Sequence, residues 1–274
     1  HSFFVAFFWM KLCSANIVFL HYRSNINSAI LSGCNYIVFI FADQWRGTLD
    51  TEQCHLPNLD KLRSQGINFK NAISGCSQCS PYRGSLLTGL YPINHGVLVN
   101  DSTLAPEQGS IAEAFKANGY KTAYIGKWHL GGTAAYHPFR RGFDEFFGFM
   151  HEGHYFVPSP YRGVTTMLRR KVLPGGETGR WFSKNEPLIY TDHMGYNEPD
   201  YDADNPILRG GQPVEEQEYL TDAFTREAVD FINRASDRPF FLYLAYNAVH
   251  SPLQGADKYM KKFSHIDDVH RQIF

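Results

Sequence analysis

At 274 residues the chain is long enough to bury a substantial core, as one large domain or two modest ones. A hydrophobic content of 43%, a charged content of 19% and a formal net charge of −1 describe a globular protein and argue against a nucleic-acid partner held by bulk electrostatics. The five cysteines (13, 34, 54, 76 and 79) are an odd, uneven set and a poor disulfide framework; Cys76 and Cys79 form a lone C-x-x-C, which disfavours zinc-knuckle and redox readings.

In chain order, residues 1–33 read as an N-terminal extension of no assignable role. The opening "HSFFVAFFWM" is apolar over only ten residues, too short to span a bilayer, and lacks the basic flank and small-residue cleavage site of a leader. No membrane span is expected. "NYIVFIFA" (35–42) is a continuous β-branched and aromatic run, the pattern of a strand buried on both faces. Three helices follow, each punctuated by Pro, Gly or both: "PNLDKLRSQG" (57–66), "PYRGSLLTG" (81–89) and "GSIAEAFKANG" (109–119). "YKTAYIG" (120–126) is a second strand. Residues 151–218 are rich in Gly, Pro, Asp and Tyr and read as a loop-rich insertion on the rim. A helix over "YLTDAFTREAVDFINRAS" (219–236) and a buried strand over "PFFLYLAYN" (239–247) come next.

Strands alternating with helices predict an α/β fold, a mostly parallel central sheet covered by helices on both faces. In such sheets ligands bind at the carboxyl ends of the strands. Each buried strand here runs straight into polar residues: Asp43-Gln44 after the first, Lys127 and His129 after the second, His250 after the third. Three in succession point to a shared anion- or metal-binding edge. Pro81 suits a first helical position, so Cys79 is expected just before the helix. There the free N–H groups favour an anion, and Arg83 stands one turn along, able to fork onto an oxyanion.

The "C-x-P-x-R" of Cys79, Pro81 and Arg83, followed by "GSLLTGLYP", resembles the signature of the type I sulfatases of the alkaline-phosphatase-like superfamily. The likeness extends in order through "NYIVFIFADQ", "LPNLDKL", "GYKTAYIGKWHLG", "RGFDEFFGF" and "PFFLYLAYNAVHSPLQ", over roughly residues 35–260. It implies a sulfuric ester hydrolase in which a maturation enzyme oxidises Cys79 to formylglycine, whose hydrate attacks sulfur. It also implies a divalent cation, Ca²⁺ or Mg²⁺, bound by Asp43, Gln44 and residue 79. Lys127 and His129 would bind sulfate and assist the nucleophile, Arg83 would hold the hydrated aldehyde, and His250 would protonate the leaving alcohol. The substrates implied are sulfated small molecules or carbohydrates, and family habit implies a periplasmic or secreted location.

Tyr82 stands where many sulfatases carry Ser, and Gln44 where many carry an acid. Asn100 and Asp101 read equally well as a turn or as rim residues, and His95, His151 and His154 carry weaker signals still. The family's later metal pair and sulfate-binding lysine have no counterpart before Phe274. The expectation is therefore the catalytic domain, residues 34–274, of a truncated sulfatase, with two alternatives: a catalytically inactive remnant, or a phosphonate or phosphate ester hydrolase on the same scaffold.

Overall fold

Tyr36–Ala42 carries no charge and alternates only among β-branched, aromatic and aliphatic side chains, so it demands cover on both faces. The computed structural model, which describes residues 4–10, 16–22, 36–45, 56–235 and 237–274, supplies that cover. In chain order the strands are β1 (Phe4–Met10), β2 (Asn16–Tyr22), β3 (Tyr36–Ala42), β4 (Ile67–Ala72), β5 (Lys121–Lys127), β6 (Glu145–Phe149), β7 (Val164–Arg169), β8 (Arg180–Phe182), β9 (Leu188–Thr191), β10 (Leu208–Arg209), β11 (Gln212–Pro213), β12 (Phe240–Tyr246) and β13 (Leu253–Ala256). The helices are α1 (Pro57–Gln65), α2 (Cys79–Thr88), α3 (Pro92–His95), α4 (Ile111–Ala117), α5 (Leu220–Ala235), α6 (Asp257–Met260) and α7 (Val269–Ile273).

A nine-stranded sheet runs β11-β10-β6-β5-β12-β3-β2-β1-β4. Its centre, β6-β5-β12-β3, is parallel, as the sequence predicts, while β10 and β11 on one side and β2 on the other add antiparallel edges. Alternate residues of β12 face opposite ways. Phe241 and Tyr243 pack with Phe39, Phe41, Tyr82 and Leu87 on the side of α2, whereas Phe240, Leu242 and Leu244 pack with Phe224 and Phe231 of α5 on the other. Each such side chain withdrawn from water contributes roughly 1.5–3 kcal/mol, enough to fix the register of the parallel centre. That register sets Tyr246 opposite Ala42 and Ala245 opposite Gly126, so the residues leaving β3, β5 and β12 emerge side by side.

The structure departs from the sequence reading in three places. Residues 151–218 are more than loops: β7, β8 and β9 join β13 in a second, four-stranded sheet, order β13-β7-β9-β8. Its strands are three to six residues long and separated by Gly and Pro, too short to show a period. Of the extension 1–33, residues 4–10 and 16–22 are strands, with β2 antiparallel to β3 and β1 antiparallel to β2; the rest lies outside the described residues. Finally, α2 begins at Cys79 itself, with Gln78 as its N-cap and Gly89 closing it in a left-handed conformation (φ 73°). Pro81 therefore occupies the third helical position, still inside the first turn where a missing N–H costs nothing.

Candidate active site

Asp43 follows β3 directly and is 3% exposed. Its backbone is pinned on both sides: its N–H donates to the Ala248 carbonyl at 2.8 Å, and the Val249 N–H donates to its carbonyl at 2.7 Å. The carboxylate is then divided. Oδ2 accepts from an Arg83 guanidinium nitrogen at 3.0 Å and lies 2.8 Å from Lys127 Nζ; Oδ1 faces the Cys79 thiol at 3.8 Å. Arg83, 2% exposed, also donates to the Lys127 carbonyl at 2.6 Å, an acceptor shared with the Tyr124 hydroxyl at 2.5 Å, and its guanidinium stacks 4.9 Å from the Phe41 ring centroid. Helix α2 is thereby tied to the tips of both β3 and β5.

The histidines complete the group. His250 donates from Nδ1 to the Ser251 carbonyl at 2.5 Å. One ligand atom each from Asp43, Cys79 and His250 lie within 4.8 Å of one another. His129 (φ 57°) pairs through Nε2 with an Asp101 carboxylate oxygen at 2.8 Å, while its Nδ1 is buried without a protein partner, a polar atom left for a ligand. Asp101, which reads in sequence equally well as a turn or a rim residue, is thus joined to the site. The Asn100 side-chain oxygen Oδ1 accepts from the Ser80 N–H at 3.2 Å and caps the first turn of α2. Gln44 (φ 55°) is exposed and faces the cleft rather than the buried cluster. His95 is a packing residue: its ring sits against Gly84 and bonds Ser85 Oγ at 3.0 Å.

One carboxylate between two buried cations leaves an excess positive charge at the strand tips, a field that attracts an oxyanion. Burial alone would raise the Asp43 carboxyl, but Lys127 and Arg83 hold it well below the usual carboxylate range, so it stays ionised. Burial and the Asp43 charge push the Cys79 thiol up, against the pull of Lys127 and Arg83. Burial, then Lys127, lowers His250 to about 4, and burial with Lys127 and Arg83 lowers His129 to about 2. Both imidazoles are neutral at neutral pH until an anion arrives to oppose that push. A thiol held protonated is a weak nucleophile, so an unmodified Cys79 is poorly suited to attack.

A hard cation takes six to eight oxygen ligands for Ca²⁺, or near-octahedral oxygens for Mg²⁺. Asp43 Oδ1 and an oxygen at residue 79 are the right donor types for part of such a sphere, and the amide of Gln44, next in sequence, is a third of the same type. Beyond them opens a cleft of about 850 Å³, within the usual range of ligand sites, lined by Gln44, Glu152, Arg169, Tyr196, Tyr201 and His250.

A parallel sheet whose strand tips gather a carboxylate, a helix-end cysteine, two cations and two histidines has the architecture of the alkaline-phosphatase-like fold class. Within that class the chain belongs to the sulfatase family, whose model matches residues 35–272. It is 34% identical over 242 residues to arylsulfatase G of Rattus norvegicus, covering 79% of this chain and 41% of that protein. It is 48% identical over 116 residues to the ulvan-active sulfatase of Formosa agariphila, covering 39% of this chain and 23% of that protein. The crystal structure of Ps i-CgsB in complex with k-i-k-neocarrahexaose superposes with a TM-score of 0.55 at 33% identity, over 71% of this chain and 40% of that one. The chain thus spans less than half the length of these relatives.

Proposed function

We propose that the protein hydrolyses sulfate esters of carbohydrates, with Cys79 converted to formylglycine by a maturation enzyme and a divalent cation, Ca²⁺ or Mg²⁺, held by Asp43, Gln44 and residue 79. The observation that carries the reading is the Asp43 carboxylate locked between Arg83 and Lys127 directly beside residue 79. The converted residue would supply an oxygen nucleophile and the cation Lewis acidity. The chain's own side chains do the rest. Lys127 and Arg83 provide the positive field that draws in the sulfate oxygens. His129 donates Nε2–H to Asp101, which leaves its orphaned Nδ1 as a proton acceptor beside the anion's site. His250, with Nδ1–H committed to the Ser251 carbonyl, donates from Nε2 to the departing alcohol once the bound anion has drawn a second proton onto the ring. Carbohydrate as the alcohol is supported by the substrates named for the relatives and by the aromatic, polar cleft wall of Tyr196, Tyr201 and Glu152. By the habit of the family, we place the protein in the periplasm or outside the cell.

Mass spectrometry of the peptide containing residue 79, after co-expression with a formylglycine-generating enzyme, tests the reading. A loss of about 18 Da relative to cysteine, thiol replaced by the aldehyde precursor of the covalent nucleophile, is the expected result. An unmodified thiol overturns it.

A further inference from the structure

The ring of His250 is held by a polar network in the wall of the cleft. Arg169 ends β7, and continuing the antiparallel register of β7 with β13, in which Met167 stands opposite Leu253, sets it opposite Ser251. Its guanidinium donates to Ser251 Oγ at 3.1 Å and to the Tyr201 hydroxyl at 3.0 Å. Glu198 takes the other side of the fork, accepting from Arg169 Nε at 3.0 Å and from the same terminal nitrogen that reaches Ser251 and Tyr201. The pair is locked at the backbone too: the Arg169 N–H donates to the Glu198 carboxylate at 2.9 Å, and the Glu198 N–H to the Arg169 carbonyl at 2.8 Å. Both side chains are largely withdrawn from water, at 13% and 5% exposure.

Two routes lead from this clamp to His250. Ser251, held by Arg169 through its hydroxyl, presents the carbonyl that accepts the His250 Nδ1 proton at 2.5 Å. Tyr201, whose hydroxyl is 3.3 Å from Ser251 Oγ, sets its ring edge-on to the imidazole at 6.1 Å between centroids. A buried ion pair contributes little net stability, since desolvation offsets the attraction, but it fixes geometry. One terminal nitrogen of the arginine lies within reach of carboxylate, phenol and serine while Nε holds the carboxylate; a lysine offers a single point charge.

We propose that Arg169 is a positioning residue: with Glu198 and Tyr201 it immobilises Ser251, whose carbonyl commits His250 Nδ1 and so leaves Nε2 as the nitrogen that meets the leaving oxygen. The inference rests on His250 being the proton donor of the proposed sulfate-ester hydrolysis.

The test uses the full chain labelled with ¹⁵N-histidine and long-range ¹H–¹⁵N correlation spectra, with the His250 signals assigned by their loss in His250→Gln. In the unsubstituted protein the Nδ1–H tautomer is expected at about nine-tenths or more; in Arg169→Met the Nε2–H form rises to about a third or more, and Arg169→Lys falls between. Ser251→Ala keeps the carbonyl but removes the hydroxyl that Arg169 grips. It shifts the ratio the same way by a smaller amount, and it decides the matter if Arg169→Met does not fold. An unchanged tautomer ratio in folded Arg169→Met, or in Ser251→Ala if Arg169→Met fails to fold, overturns the proposal. Failure of the proton-donor reading looks different: His250→Ala would hydrolyse alkyl sulfates, whose leaving groups need a proton, as well as the parent does, and the tautomer result would stand.

Discussion

The two sheets of this molecule are held by different forces. The parallel centre of the large sheet consists of apolar strands of five to seven residues, buried on both faces by α2 and α4 on one side and α5 on the other. The small sheet is assembled from strands of three to six residues, and polar side chains stitch it together. Gln254 accepts from the Phe156 and Val157 N–H groups at 2.7 and 3.0 Å and donates to the Val157 carbonyl and Thr166 Oγ1, both at 3.1 Å; Arg169 clamps Glu198, and Arg180 pairs with Asp268 at 2.9 Å. Groups proposed to do chemistry stand on the apolar scaffold, which resists displacement. Groups that shape the cleft stand on the polar one, which can change side chains without repacking a core.

The sharpest way to break this contrast is Asp43→Asn, which leaves Arg83 and Lys127 as uncompensated buried cations. We expect a loss of about 3–5 kcal/mol in urea unfolding, together with loss of sulfate release. A loss near zero would mean that the two cations find other partners and that the strand tips are softer than the sheet beneath them.

Gln254→Leu strips the small sheet of its central tie and leaves the buried Phe156 N–H unsatisfied, at a cost of about 1–3 kcal/mol, with a smaller loss at the half-buried Val157 N–H. Amide hydrogen exchange should quicken in β7, β9 and β13 while β12 keeps its protection. Equal acceleration in β12 would show that both sheets unfold as one unit.

A smaller effect is expected at the outer edge of the large sheet. There Glu227 of α5 accepts from both terminal nitrogens of Arg209, at 2.6 and 2.7 Å, and from Arg226 at 3.0 Å. The hydrogen bond to Arg209 lowers the carboxyl from its usual value of 4.5, burial opposes this, and Arg226 adds to the lowering. A carboxylate lowered in the folded state stabilises it above the unfolded value, and that stability is lost as pH falls through the folded one. Glu227→Gln should thus cost roughly 0.5–1 kcal/mol at neutral pH, discounted for the exposure of both arginines, and progressively less as the medium is acidified below the usual carboxyl value of 4.5. An undiminished cost in acid would mean that the residue acts through packing.

What the sequence disclosed follows the same division. The strands over Tyr36–Ala42, Lys121–Lys127 and Phe240–Tyr246 and the helix over Leu220–Ala235 lie within a residue or two of their expected bounds, because long apolar runs and Gly/Pro punctuation are local signals. The gathering of Asp43, Cys79, Arg83, Lys127 and His250 at one edge was legible because each follows a recognisable strand or opens a recognisable helix. The small sheet was hidden, since β13 lies some 85 residues beyond its neighbour β7 and neither strand shows an alternating period. The pairing of Asp101 with His129 spans 28 positions and exists only in space. A turn residue placed just beyond the motif helix was the one hint, and it fits an ordinary Asx turn equally well. Arg169 gave no hint at all, for an arginine in a polar segment is ordinarily a surface group.

The paired amides that join Asp43 to residues 248 and 249 add a separate rung just beyond the ladder of β3 and β12, out of its register. A carboxylate mounted on that rung and an imidazole one residue beyond it share a single rigid frame. Thermal motion would then carry the two together, and the spacing between them would hold even as the cleft wall opposite breathes.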